Sequence, residues 1–188
     1  MSLLIRIALP ALATALAAAL LATGGRPAPT HVKIGTLAGT SVLHPGLVGP
    51  ASVVPGAVIT QPFGCTSLAL EPPAPNCPGG RFHSGVDLAA PAGTIAFAPA
   101  GGIAWPGAEP ACGVYVQLDL GAGWSVLYCH LQATLVAPGD RLDPGSAVGL
   151  VGSTGNSTGP HVHFEVRHLG VPIDPLAWLA APPANEST

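Results

Sequence analysis

In the run HVHFEV, His161, His163 and Glu165 alternate with Val162, Phe164 and Val166. Apolar strand formers alternating with polar groups have the period of a half-buried strand. Residues i, i+2 and i+4 of a strand point to one face. Two imidazoles and a carboxylate would therefore share a face, while Val162, Phe164 and Val166 pack into a core. A solvated strand face has the same pattern, and a His-x-His match alone does not separate it from metal ligation.

The other candidates lie far away in the chain. In RFHSGVDLAAP, His83 stands four residues before Asp87. Gly85 and Pro91 argue against a helix and for a bend into a strand. Such a bend brings imidazole and carboxylate together, or leaves Asp87 to bond a turn amide. His130 ends the apolar run LYCHL, where a packed core histidine is the plain alternative. His31, His44 and His168 are assigned no role. A hydrolytic zinc centre needs three protein ligands from His or carboxylate and an open fourth position. The metal acidifies water and polarises a carbonyl, and further groups move the proton and stabilise the oxyanion. His83, Asp87, His130, His161 and His163 suffice for three ligands and two unligated histidines. Histidines at i and i+2 of a strand have Cα atoms about 6–7 Å apart, so one can bind metal while its neighbour reaches the water.

The elements that must position these groups are short and turn-rich. Of 188 residues, 8% are charged, against about 25% in ordinary soluble domains. Six Lys and Arg against nine Asp and Glu leave no basic patch, which argues against nucleic acid as a partner. Residues 1–24 carry Arg6 and then an apolar run from Ile7 to Ala22, shorter than the roughly 20 residues of a spanning helix. They read as a cleaved signal peptide in preference to a retained membrane anchor, so the rest of the chain is expected to be exported to the cell envelope or beyond. Residues 25–57 read as a Pro/Gly-rich linker, 58–180 as the working domain and 181–188 as a disordered tail. The stretches TIAFAPAGGIAW, CGVYVQLDLGAGWSVLYCHL and SAVGLVGSTG predict strands, the middle one a hairpin about Gly121-Ala122-Gly123. A faint echo between PAGTIAFAPAGGIA and APGDRLDPGSAVGLVG suggests two similar arches, and residues 173–179 a short helix. The fold class expected is all-β, a sandwich or barrel-like domain. Cys65, Cys77, Cys112 and Cys129 form an even set without CxxC spacing, and in an oxidising compartment three pairings exist. Cys65–Cys77 closing a Pro-rich loop and Cys112–Cys129 joining neighbouring strands are preferred over a cysteine zinc site.

Together these stretches resemble the lysostaphin-type (LytM-like) zinc endopeptidases that cut peptidoglycan cross-links. The resemblance runs from about Val58 to Leu179 through FHSGVDLAAPAGT, APAGGIA, the hairpin, PGDRLDPGSAVGLVGSTGNSTGPHVHFEVR and GVPIDPLAWL. It implies a mostly antiparallel β domain with one zinc in a loop-walled groove. By the same resemblance His83, Asp87 and His163 hold the zinc, while His130 and His161 activate water and stabilise the tetrahedral oxyanion. Glu165 is left to orient a ligand imidazole from behind, and Asp174 to cap a turn. The implied partners are peptide cross-bridges of bacterial peptidoglycan, and a monomer is expected. Two features depart from the family pattern: four cysteines, with Cys129 beside His130, and no Asn before Asn76 that could mask the metal. His44 is the remaining upstream candidate for that masking. The competing readings are a non-catalytic scaffold or activator of other wall hydrolases, an exported module with a structural metal, and a D-alanyl carboxypeptidase. All five key positions are present, which argues against the scaffold; no fourth protein ligand is evident for a structural metal beyond the two extra histidines, and the four-residue His83–Asp87 spacing favours the endopeptidase over the carboxypeptidase.

Overall fold

The computed structural model describes residues 49–180. The expected targeting segment, most of the linker with His31 and His44, and the tail lie outside the described residues. A 3-10 turn over Gly49–Ser52 leads into thirteen strands and one helix. The strands are β1 Val58–Gln61, β2 Gly64–Thr66, β3 Arg81–His83, β4 Val86–Ala89, β5 Ile95–Phe97, β6 Gly102–Glu109 and β7 Gly113–Gly121. They continue as β8 Trp124–Leu131, β9 Ala133–Thr134, β10 Arg141–Leu142, β11 Ala147–Leu150, β12 His161–His168 and β13 Val171–Ile173. Helix α1 spans Pro175–Ala180. Among the described residues no helix is long and apolar enough to cross a membrane.

The main sheet is antiparallel, in the order β1-β4-β12-β8-β7-β6-β10, with β13 added to β12. A second sheet, β5-β11-β9, shares its core, and β2-β3 form a separate pair. The sheets do not close into a barrel: β1 and β10 end the main sheet unpaired with one another. The mostly antiparallel β architecture is as expected, in its sandwich rather than its barrel form.

Local sequence explains the centre of the sheet. In β7, Val116 and Leu118 are fully buried while Gln117 and Asp119 are exposed, the alternation of a one-sided strand. Gly121 pairs with Trp124 across the turn, leaving Ala122 and Gly123 as a two-residue loop. Both have positive φ, 48° and 78°, which matches the twist of a tight hairpin. In β12, Val162, Phe164 and Val166 are fully buried, each contributing about 1.5–3 kcal/mol by burial. Tyr128 of β8 lies beside Phe164 and its hydroxyl donates to the Phe97 carbonyl at 3.1 Å, tying the two sheets.

The two echoing segments form arches that cross between the sheets and pair with each other. One arch places β5 in the small sheet and β6 in the main one; the other places β10 in the main sheet and β11 in the small one. β5 pairs with β11, and β6 with β10. Asp174 accepts from the Leu176 amide at 2.9 Å and starts α1, with Pro175 in the first helical position. The core reaches further toward the N-terminus than the expected start at Val58, because Val53 and Val54 are fully buried in it. Small apolar residues among Pro and Gly carry no period, so the sequence did not distinguish these two from linker.

Candidate active site

Strand β12 lies between β4 and β8, and His163 is opposite Asp87 on one side and Cys129 on the other. Its groove-facing row, His161, His163, Glu165 and Arg167, is the polar half of the alternation. Asp87 comes in from β4, and His83 from the end of β3 across the Ser84-Gly85 bend. That bend requires glycine. A Cβ at Gly85 would lie 2.6 Å from the Phe164 carbonyl oxygen and 2.9 Å from the His163 ring.

Three donor atoms converge there. His83 Nε2 is 3.1 Å from Asp87 Oδ1 and 2.9 Å from His163 Nδ1, and His163 Nδ1 is 2.9 Å from Asp87 Oδ1. Ligand atoms of a tetrahedral zinc, each about 2.0–2.1 Å from the ion, sit roughly 3.3 Å apart. The triad is therefore the right size for such an ion, and its donors, two imidazoles and a carboxylate, are of the right kind.

The far side of each ring fixes which nitrogen faces the centre. His83 Nδ1–H donates to the Pro62 carbonyl at 2.9 Å, and His163 Nε2–H donates to Glu165 Oε1 at 3.0 Å. His83 Nε2 and His163 Nδ1 are thereby the ring nitrogens that face Asp87: they donate to it from protonated rings, and from neutral rings they offer lone pairs to a cation there. Glu165 is 4% exposed and also accepts from Ser84 Oγ at 2.5 Å and Arg167 Nε at 2.5 Å. The role considered for it in sequence, orienting an imidazole from behind, matches these contacts.

His161 and His130 sit beside the triad with ring centroids 4.7 Å apart. His161 Nδ1–H donates to the Gly159 carbonyl at 2.8 Å, and its Nε2 lies 3.8 Å from Asp87 Oδ1. His130 Nδ1–H donates to the Thr154 carbonyl at 2.8 Å. Strict alternation from the buried Tyr128 would turn His130 into the core. The β7–β8 ladder slips between Val114 and Val116, and His130 takes a positive φ of 62° in that bulge. Bulges re-aim side chains in this way, and a non-glycine residue pays for the conformation. The disulfide Cys112–Cys129 and the His130 amide, which donates to the Cys112 carbonyl at 2.7 Å, hold it. The second disulfide is Cys65–Cys77, so both preferred pairings are present.

Charge is tightly coupled here. Burial would raise the Asp87 carboxyl, but hydrogen bonds from His163 and His83 hold it well below the usual range. Burial would lower His163, but Asp87 and Glu165 carry it up to about 9. Burial would raise Glu165, yet its bonds from His163, Arg167 and Ser84 bring it to about 2. Burial depresses His130, partly offset by its hydrogen bond to the Thr154 carbonyl.

Of the five site residues expected from sequence, Asp87, His130, His161 and His163 line one groove of about 230 Å³, and the fully buried His83 meets Asp87 and His163 from beneath it. His168 lies apart, stacked on Trp124 at 4.3 Å. Arg167 lines the same groove and was not singled out; extending the period-two row by one residue would have found it. Thr154 was also missed. It works through its backbone carbonyl and through an Oγ1 that donates to Leu131 and accepts from the Val114 amide.

Comparison with known proteins agrees with the geometry. The model of Peptidase family M23 matches residues 81–175, half of the chain and every one of the five residues. DD-carboxypeptidase/endopeptidase Mpg of Neisseria meningitidis is 43% identical over 98 residues, 52% of this chain and 23% of that protein. Peptidoglycan DD-endopeptidase ShyA of Vibrio cholerae is 35% identical over 95 residues, 50% of this chain and 22% of its own length. The chain thus spans under a quarter of these two relatives. The catalytic domain of the antimicrobial peptidase lysostaphin from Staphylococcus simulans superposes with a TM-score of 0.55 at 28% identity. That match covers 65% of this chain and 92% of that domain. From the fold, the gathered His/Asp groove and a family model spanning all of it, the chain belongs to Peptidase family M23.

Proposed function

We propose that this chain is a zinc metalloendopeptidase that hydrolyses peptide cross-links of bacterial peptidoglycan in the cell envelope. One observation carries the reading: His83, Asp87 and His163 offer three converged donor atoms with the ring tautomers already set, and two further histidines stand beside them. Residues 58–180 would form the catalytic domain, with Val53 and Val54 completing its core. Residues 1–24 would direct export, and residues 25–57 would link them. Two disulfides favour an oxidising compartment, as a cell-envelope hydrolase requires.

His83 Nε2, Asp87 Oδ1 and His163 Nδ1 would hold the zinc. When bound in such a set, zinc is a Lewis acid that acidifies water and polarises a carbonyl. Each remaining task falls to a named atom. With Nδ1–H of both His161 and His130 committed to backbone carbonyls, the Nε2 lone pairs are free to accept. Together the two rings take the proton of the attacking water and return one to the leaving amine, and once protonated they donate toward the oxyanion. Glu165 keeps the His163 ring from rotating, and the Cys112–Cys129 link keeps His130 in its bulge.

The test is zinc content and release of cross-link peptides from purified cell wall, measured on one sample with and without chelator. About one zinc per chain with chelator-sensitive release supports the reading. Tight zinc binding with no hydrolysis of any wall type would replace it with a scaffold or activator role.

A further inference from the structure

Arg167 is the one lysine or arginine among the described residues that lines the groove. It continues the row His161, His163, Glu165 by one step on the same strand face. Its Nε–H donates to Glu165 Oε2 at 2.5 Å, and Glu165 in turn holds His163 at 3.0 Å. Among the described residues, no acceptor takes the terminal Nη groups of Arg167, and its side chain is 41% exposed whereas that of Glu165 is 6%. One edge of the guanidinium is thus anchored on a buried carboxylate, and the other is open to the groove. A guanidinium held this way is pre-ordered for two parallel hydrogen bonds to a carboxylate, which a flexible ammonium would not offer. The other charged walls do not occupy it. The Glu71 carboxylate accepts from the Gln61 amide, its carbonyl from Arg81, and Glu109 stands at the end of β6.

A single carboxylate thus separates the guanidinium from the His163 ring: Arg167 Nε is 2.5 Å from Glu165 Oε2, and Glu165 Oε1 is 3.0 Å from His163 Nε2. We infer that Arg167 is a specificity-determining residue that binds a free carboxylate on the substrate peptide close to the bond that is cut. This deepens the proposed function and rests on it for the identity of the bond. A cross-link fits when the amine side of its scissile amide is a diamino acid with a free carboxylate on the carbon bearing that nitrogen. A bridge of glycines, or one through lysine, offers none there.

The test separates recognition from turnover. Two synthetic cross-linked peptides are compared, identical except that one carries the carboxylate on that carbon and the other a carboxamide. Equilibrium binding is measured to zinc-loaded full chain carrying His161→Ala. The carboxylate peptide is expected to bind roughly 10- to 100-fold more tightly, the range for hydrogen bonds to charged groups. Adding Arg167→Met should collapse that ratio toward one, and Arg167→Lys should restore only part of it. Equal binding of the two peptides to the His161→Ala protein would overturn the inference without use of any Arg167 variant. A ratio that survives Arg167→Met would overturn it too, leaving Arg167 as a prop for Glu165. Turnover of the carboxylate peptide by the unmutated chain is recorded separately. If recognition is present and turnover absent, the hydrolase reading fails while the carboxylate site stands.

Discussion

At the scale of single residues, the proposed function divides the site into groups that would hold the metal and groups that would act on the substrate. His83→Ala, Asp87→Ala and His163→Ala each remove one of three converged donors. Each variant is expected to lose both bound zinc and activity, read by metal analysis beside peptide release. His161→Ala and His130→Ala leave the triad intact. They should keep near-stoichiometric zinc and lose about 10²- to 10⁴-fold in rate, the usual range for a general acid or base. Retained turnover in His161→Ala would show the assignment to be wrong. Glu165 gives a finer test. Outer-sphere partners of a ligand histidine are worth about 10- to 100-fold in metal affinity. Glu165→Ala removes the acceptor of His163 Nε2–H, and competition against a chromophoric chelator should show that loss. An unchanged affinity would mean that packing alone orients the ring.

At the scale of elements, the site depends on two backbone irregularities. One is the Ser84-Gly85 bend, where the chain passes from the β2–β3 pair into the main sheet. Gly85→Ala inserts a methyl against the Phe164 carbonyl and the His163 ring. It is expected to cost about 1–3 kcal/mol and to weaken zinc binding as well, measured by denaturant unfolding and metal titration together. The other is the bulge that turns His130 out of the core. Thr154 braces it by side chain and carbonyl, so Thr154→Val should cost about 1–3 kcal/mol for the Val114 amide left without its acceptor. The two cases differ in legibility. Gly85 stood out in sequence as a bend marker because, with Pro91, it argued against a helix through His83 and Asp87. The bulge at His130 did not, because LYCHL is a continuous apolar run that reads as an unbroken strand, and an inserted residue is visible only against its partner β7.

At the scale of the whole molecule, two disulfides and, under the proposed function, a bound metal add to the apolar core. Cys112–Cys129 closes a loop of sequence separation 17, and crosslinks of that length contribute about 3 kcal/mol. A Cys112→Ala/Cys129→Ala variant should melt lower and lose more activity than a Cys65→Ala/Cys77→Ala variant, since only the former link adjoins His130. Equal activity losses would assign both bridges to stability alone. Removal of metal by chelator should lower the melting temperature and abolish peptide release, with both restored by added zinc, because a ligand that binds only the folded state stabilises it.

Local periodicity and residue type were enough to place His161, His163 and Glu165 on one strand face, to form the β7–β8 hairpin, to pair the cysteines across short loops and to start α1 at Asp174. Each of these depends on neighbours within a few residues or on a turn that brings two strands together directly. The tertiary structure alone decided which ring nitrogens face the centre. The acceptors that set them in His83, His130 and His161 are backbone carbonyls of Pro62, Thr154 and Gly159, which carry no residue-type signature. It also decided the turn of His130 into the groove, the burial of Val53 and Val54, and the exchange of strands between the two arches. These depend on pairings between segments far apart in the chain, and no period within either segment encodes them.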